Sequence, residues 1–163
     1  MRKVLLGMAF LAVTSTILAT DVETIEAKSF LVSGQFVNVS DTGTELTKTW
    51  NIQWHLNPAW FKKEGVQYKA VFEYFIPETL NSKVTALTLG LWRTKPKAEK
   101  AATGYKLDLT KVKRGEWQTA EMENLPELSG FSGYLYFDAN SKDAYDSAEK
   151  IKIKSIKLVP KEK

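Results

Sequence analysis

The chain has 163 residues, 44% of them apolar and 12% aromatic, with a formal net charge of +4, one histidine and no cysteine. That apolar share excludes disorder, and the lack of cysteine excludes a disulfide framework, a thiolate metal site and a cysteine nucleophile. One histidine and no cysteine leave almost no site for zinc, which usually takes three or four ligands drawn mainly from those two residue types.

In chain order, Arg2 and Lys3 precede the apolar run Val4 to Ala19, the pattern of a secretory signal peptide. A retained membrane anchor is the alternative, but Thr14, Ser15 and Thr16 interrupt the run and no basic flank follows it. Cleavage after Ala19 or after Ala27 fits, and Ala27 is favoured because periodic structure starts directly behind it. This divides the chain into a leader, 1–27, and one domain, 28–163, with no membrane insertion after cleavage. Removing the leader takes away two basic and three acidic residues, so the mature chain carries +5. A cysteine-free secreted chain with a short charged leader points to a Gram-positive bacterium.

Period-2 alternation dominates the rest of the chain, and no segment of helical length carries an apolar stripe at 3.6-residue spacing. Strands are expected at Ser29–Val39, Leu46–Leu56, Val66–Ile76, Val84–Arg93, Tyr105–Leu109, Glu116–Glu123, Phe131–Phe137 and Lys150–Val159. The segment Asn57–Gly65 adds a helical turn, with Pro58 early and Gly65 as its stop. Eight strands between turn-rich connections predict an all-β, two-sheet antiparallel sandwich. In the last strand the alternation of lysine and isoleucine changes phase at Lys154-Ser155, which predicts a bulge. Its lysines suit a strand near a sheet edge.

Alternation also sorts each strand into two faces. Val66, Tyr68, Ala70, Phe72, Tyr74 and Ile76 form one core row, Leu87, Leu89 and Leu91 a second, and Phe131, Leu135 and Phe137 a third. Trp92, Tyr134 and Tyr136 then point outward. Three of the five tryptophans lie within eleven residues, Trp50 to Trp60. Ile52 assigns Trp50 and Trp54 to the core, leaving Asn51, Gln53 and His55 outside, while Trp60 falls at the rim.

Flat aromatic rings beside amides suit a sugar, whose C–H face stacks on a ring while its hydroxyls take hydrogen bonds. The expected ligand-binding residues are therefore Trp92, Tyr134, Tyr136, Asn51, Gln53 and His55, with coverage by a loop as the structural alternative. Triad chemistry has only His55 as a base and no Gly-x-Ser-x-Gly elbow to pair with it. Glu73, Glu116, Glu121 and Asp138 supply carboxylates for glycosidase chemistry, but no spacing pairs them. No catalytic residue is expected. The acidic segment Phe137–Asp146 lacks the glycine and closing glutamate of a calcium loop.

From the second strand onward, over roughly 110 residues, the order of features resembles the jelly-roll, galactose-binding-like carbohydrate-binding modules of secreted bacterial proteins. The carriers are a "TW" strand, "KEGVQYKAVFEYFI", "VTALTLGLW", "RGEWQTAEMENL", "GYLYFDA" and a closing "EKIKIKSIKLV". The resemblance implies a jelly roll, a glycan or polysaccharide as partner, and a structural role for Trp117 in the Gly-x-Trp position. It also implies a structural calcium, against which Ile153, Lys154, Ser155 and Ile156 stand where such modules carry an Ile-Asp-Asp-Ile type motif. No other cofactor, no metal and no nucleic acid is expected, and the chain is expected to act as a monomer. The competing expectation is a cell-envelope or toxin-associated protein that binds protein or anionic polymer through Lys150, Lys152, Lys154 and Lys157.

Overall fold

The computed structural model describes residues 22–48, 52–94 and 99–161. Eleven strands lie among them: β1 Ile25–Glu26, β2 Ser29–Val32, β3 Gln35–Asn38, β4 Thr44–Glu45, β5 Ile52–Leu56, β6 Tyr68–Phe75, β7 Ala86–Arg93, β8 Glu99–Asp108, β9 Trp117–Met122, β10 Gly133–Ala139 and β11 Lys152–Pro160. They form two antiparallel sheets. The smaller runs β1-β11-β6-β9, with β4 also on β11, and the larger runs β3-β2-β5-β10-β7-β8.

The expected core rows are the ones that meet between the sheets. Tyr68, Ala70, Phe72, Tyr74 and Ile76 are buried, as are Leu87, Leu89, Leu91, Phe131, Leu135 and Phe137. Phe72 of β6 meets Phe137 of β10 edge-to-face, ring centroids 5.3 Å apart, so the central strands of both sheets are joined through aromatic contact. Ile52 and Trp54 are buried as their alternation required. Trp50 and Asn51 lie outside the described residues.

Several boundaries differ from the sequence expectation. Ser29–Val39 is not one strand but a hairpin, because Ser33 (φ 49°) and Gly34 (φ 86°) both adopt positive φ, as a two-residue type I′ turn requires. The helical turn is a 3-10 turn over Pro58–Trp60, and the Asn57 side chain caps it by accepting the Ala59 N–H at 3.0 Å. It stops before Gly65, which belongs to a later turn whose N–H donates to Glu127. A short helix, α1, spans Asp143–Asp146.

The bulge in β11 is present between Ile153 and Ser155. It turns both Lys154 and Ser155 outward, so Ile153 and Ile156 can both be buried three residues apart. The Ser155 hydroxyl donates to Glu73 at 2.7 Å, and Lys154 lies 3.9 Å from the same carboxylate. However, β11 is not a sheet edge. It lies between β6 and the two-residue strands β1 and β4, which are too short to show any alternation.

β1 also bears on where the folded unit begins. Ile25 and Glu26 pair with Leu158 and Lys157, the Ala27 N–H donates to the Ile156 carbonyl at 3.0 Å, and Lys157 meets Glu26 at 2.9 Å. The hydrogen bond to Glu26 raises the Lys157 pKa above its ordinary value. A chain begun at Lys28 gives up all these contacts. In a urea titration it is expected to be less stable than one begun at Val22 by about 1–3 kcal/mol, the scale of a few backbone hydrogen bonds. Equal midpoints would show that β1 adds nothing.

Candidate functional site

The outer face of the six-stranded sheet is built by three adjacent strands, β5, β10 and β7. Tyr134 of β10 stands opposite both His55 of β5 and Trp92 of β7. One residue pair further along, Tyr136 stands opposite Gln53 and Gly90, and beyond it Asp138 faces Thr88. Directly paired residues share a face of a sheet. The register therefore brings Trp92, Tyr134, Tyr136, Gln53 and His55 together, which alternation within single strands could not establish. Asn51, the remaining expected ligand residue, lies outside the described residues.

The rings in this row are organised among themselves. His55 and Tyr134 stack, with centroids 5.2 Å apart and planes 28° off parallel. Tyr134 and Tyr136 meet edge-on at 6.4 Å and 69°. Their accessibilities differ sharply: His55 is exposed and Trp92 and Tyr134 are half-buried, but Tyr136 is only 3% exposed. Tyr136 is thus on the expected face yet is not an open stacking surface. The reason is Gly90: a Cβ there would lie 2.3 Å from Tyr136 Cζ, so the missing side chain gives the phenol ring room to lie flat on the sheet.

Burial raises the Tyr134 phenol above its ordinary pKa of 10.0. Burial, then the Asp138 and Tyr134 charges, raise that of Tyr136 likewise. Both are therefore neutral hydroxyls below that pH, able to donate and accept hydrogen bonds. Asp138 is held by the Tyr145 hydroxyl, which donates to it at 2.9 Å while accepting the Ala139 N–H at 3.1 Å.

The other carboxylates do not converge with Asp138. Glu73 and Glu121 belong to the five-stranded sheet, where Glu121 accepts a hydrogen bond from Lys69 at 2.8 Å, and Glu116 pairs with Lys113 at 3.3 Å ahead of β9. Among the described residues no group of three His, Cys, Asp or Glu side chains is placed to hold a metal ion. Trp117 packs on the outside of the five-stranded sheet against Phe75, centroids 5.7 Å apart, beneath the Lys154 amine and against Gly43.

Lys150, just ahead of β11, and the lysines of β11 are engaged with their neighbours. Lys150 donates to the Tyr145 and Ser147 carbonyls, Lys152 sits 5.8 Å over the Phe75 ring, and Lys154 and Lys157 face Glu73 and Glu26. A cleft of about 720 Å³ elsewhere runs from Gln67 past Tyr105 to Pro126 and Lys161. Among the described residues Tyr105 is its one aromatic, and Lys161 is paired with Glu123 at 2.9 Å.

Alternation did not identify two further residues of the sheet face. Leu31 pairs with Gln53 on one side and Phe36 on the other, extending the outer surface to the sheet edge. The Ser-Gly pair between apolar runs was the signal for the hairpin that puts Phe36 there.

Among solved structures, a xylan-binding module of carbohydrate-binding family 15 matches with a TM-score of 0.50 at 10% identity, over 86% of this chain and 98% of that one. The C-terminal family 22 carbohydrate-binding module of Clostridium thermocellum Xyn10B matches with a TM-score of 0.46 at 13% identity, over 85% of this chain and 80% of that one. No protein-family model matches the sequence, and no curated protein does. The likeness is one of fold: the chain is a two-sheet antiparallel jelly-roll sandwich. Among the described residues no helix is long and apolar enough to cross a membrane.

Proposed function

We propose that the chain is a secreted, non-catalytic protein of carbohydrate-binding-module type that holds a glycan or polysaccharide on the outer face of its six-stranded sheet. The observation that carries this reading is the row His55, Tyr134, Trp92 on three neighbouring strands, with Gln53 one row along the same face and Thr88 two rows along. Adjacent strands are about 4.8 Å apart, so the row extends about 10 Å, enough for rings to stack on it side by side. The half-buried aromatics supply apolar contact, and the amide, hydroxyl and imidazole groups supply directed hydrogen bonds.

A non-catalytic role fits the separation of the carboxylates, since hydrolysis needs two of them flanking one bond. The fold shared with a family-15 module supports the ligand class without naming the sugar. The protein is taken to act outside the cell, as a monomer and without a cofactor.

Affinity electrophoresis through gels containing neutral or anionic polysaccharides tests this directly. Retardation by at least one neutral polysaccharide, unchanged in high salt and in chelator, is the expected result. Retardation by anionic polymers alone, abolished by salt, would shift the function to the lysines of β11, whose exposed charges salt screens. No retardation by any glycan would end the proposal.

A further inference from the structure

Among the described residues the large apolar side chains left exposed are Phe36 (73%), Trp60 (41%) and Val37 (40%). Single exposed apolar residues are ordinary, but aromatics from separate elements that converge on one concavity are not. Phe36 comes from β3 and Trp60 from the 3-10 turn behind β5, yet both line one cleft of about 450 Å³, with His55, Ser29 and Glu23 also on its walls.

The backbone explains the cleft. β2 is paired with β5 only at Leu31↔Gln53 and Val32↔Ile52, and toward Ser29 the ladder between them stops. In that gap the chain crosses from β1 in one sheet to β2 in the other.

Trp60 is held in place before any ligand arrives. Its N–H donates to the Asn57 carbonyl at 3.0 Å, and its ring rests on buried Trp54 with centroids 6.0 Å apart. A ring fixed on the core on one side and open on the other loses little freedom on binding. The cleft is also continuous with the sheet face, because His55 lines it and stacks on Tyr134.

We infer that Phe36 and Trp60 form a second sugar-stacking subsite, so that the ligand is an extended polysaccharide chain running from Trp92 over Tyr134 and His55 to the sheet edge. This rests on the glycan reading of the sheet face. Four strand spacings separate β7 from β3, about 19 Å, a length that one or two sugar rings do not cover. The occupant is a sugar rather than an apolar peptide because Ser29 and Glu23 line the same cleft as the rings, and a hydroxyl and a carboxylate can take hydrogen bonds from ring hydroxyls.

The test is calorimetry of the chain with linear β-1,4-linked gluco- and xylo-oligosaccharides, from disaccharide to hexasaccharide. The wild type is expected to gain affinity with length. Trp60→Ala and Phe36→Ser are each expected to lose about tenfold for the hexasaccharide while binding the disaccharide as before. Phe36 lies on an exposed strand, so its replacement keeps the test decisive if loss of Trp60 disturbs Trp54. Unchanged hexasaccharide affinity in the Phe36 variant overturns the subsite while leaving the sheet-face reading standing. A concentration-dependent dimer that Phe36→Ser dissolves, with hexasaccharide affinity intact, also overturns it and assigns the cleft to a second copy. Failure of the wild type to bind any member of either series, together with no retardation by polysaccharide, removes both readings.

Discussion

Trp92→Ala is expected to weaken polysaccharide binding by about thirtyfold or more, the loss of roughly 2 kcal/mol that marks a dominant contact residue. Trp92 ends the aromatic row, directly opposite Tyr134 on the neighbouring strand. Its outward direction follows from its strand: Leu89 and Leu91 go to the core, so position 92 faces away. Removing the indole therefore takes away stacking surface without opening a cavity in the core. The stability of the variant is expected to stay within about 1 kcal/mol of wild type, as for other substitutions outside the core. Trp92→Phe keeps a flat ring of smaller area and is expected to lose only a few-fold. Calorimetry beside a urea titration separates the two effects. Wild-type affinity in a folded Trp92→Ala chain would remove Trp92 from the site.

Much of the fold was legible because the core strands are long enough to alternate several times. Six residues of one row, Val66 to Ile76, place β6 without ambiguity, and the Ile153/Ser155 bulge is visible as a change of phase. What escaped was short, polar or a matter of depth: β8 begins at Glu99, six residues before the expected Tyr105, in a stretch with no apolar alternation. β1 and β4 have two residues each, too few for any period, so the interior position of β11 could not be read. Ser29–Val39 reads as one strand only if the Ser33-Gly34 break between the apolar runs Phe30–Val32 and Phe36–Val37 is passed over, and doing so hid Phe36 within a single strand.

The candidate site was legible to the same extent and no further. Alternation gives the face a residue is on, and it put Trp92, Tyr134, Tyr136, Gln53 and His55 on faces that the register then joined. It does not give accessibility. Tyr134 and Tyr136 read identically in sequence, yet one is half-buried and the other 3% exposed, because only Tyr136 has a glycine opposite it. The signal was a glycine inside a strand, which often marks a close approach by another group.

Gly90→Ala is the second substitution expected to have a large effect, and it joins the fold to the site. The new methyl would stand 2.3 Å from Tyr136 Cζ and 2.4 Å from its hydroxyl oxygen. The strand cannot move aside, since Gly90 sits in β7 between Leu89 and Leu91, both buried, with β10 paired along its length. The phenol ring must swing instead, and leaving a buried position costs it contact on every side. Overpacking of this kind costs about 2–3 kcal/mol, which in a domain of this size lowers Tm by roughly 6–12 °C. A displaced Tyr136 would rise into the row of rings beside Tyr134, so polysaccharide affinity is expected to fall with stability. If the clash is the cause, Tyr136→Ala in the Gly90→Ala background makes room for the methyl. The double variant is then expected to be more stable than the sum of the single effects by more than about 1 kcal/mol. Additive effects in that cycle would mean that Gly90 is required for its backbone alone, and that Tyr136 does not owe its burial to the missing side chain.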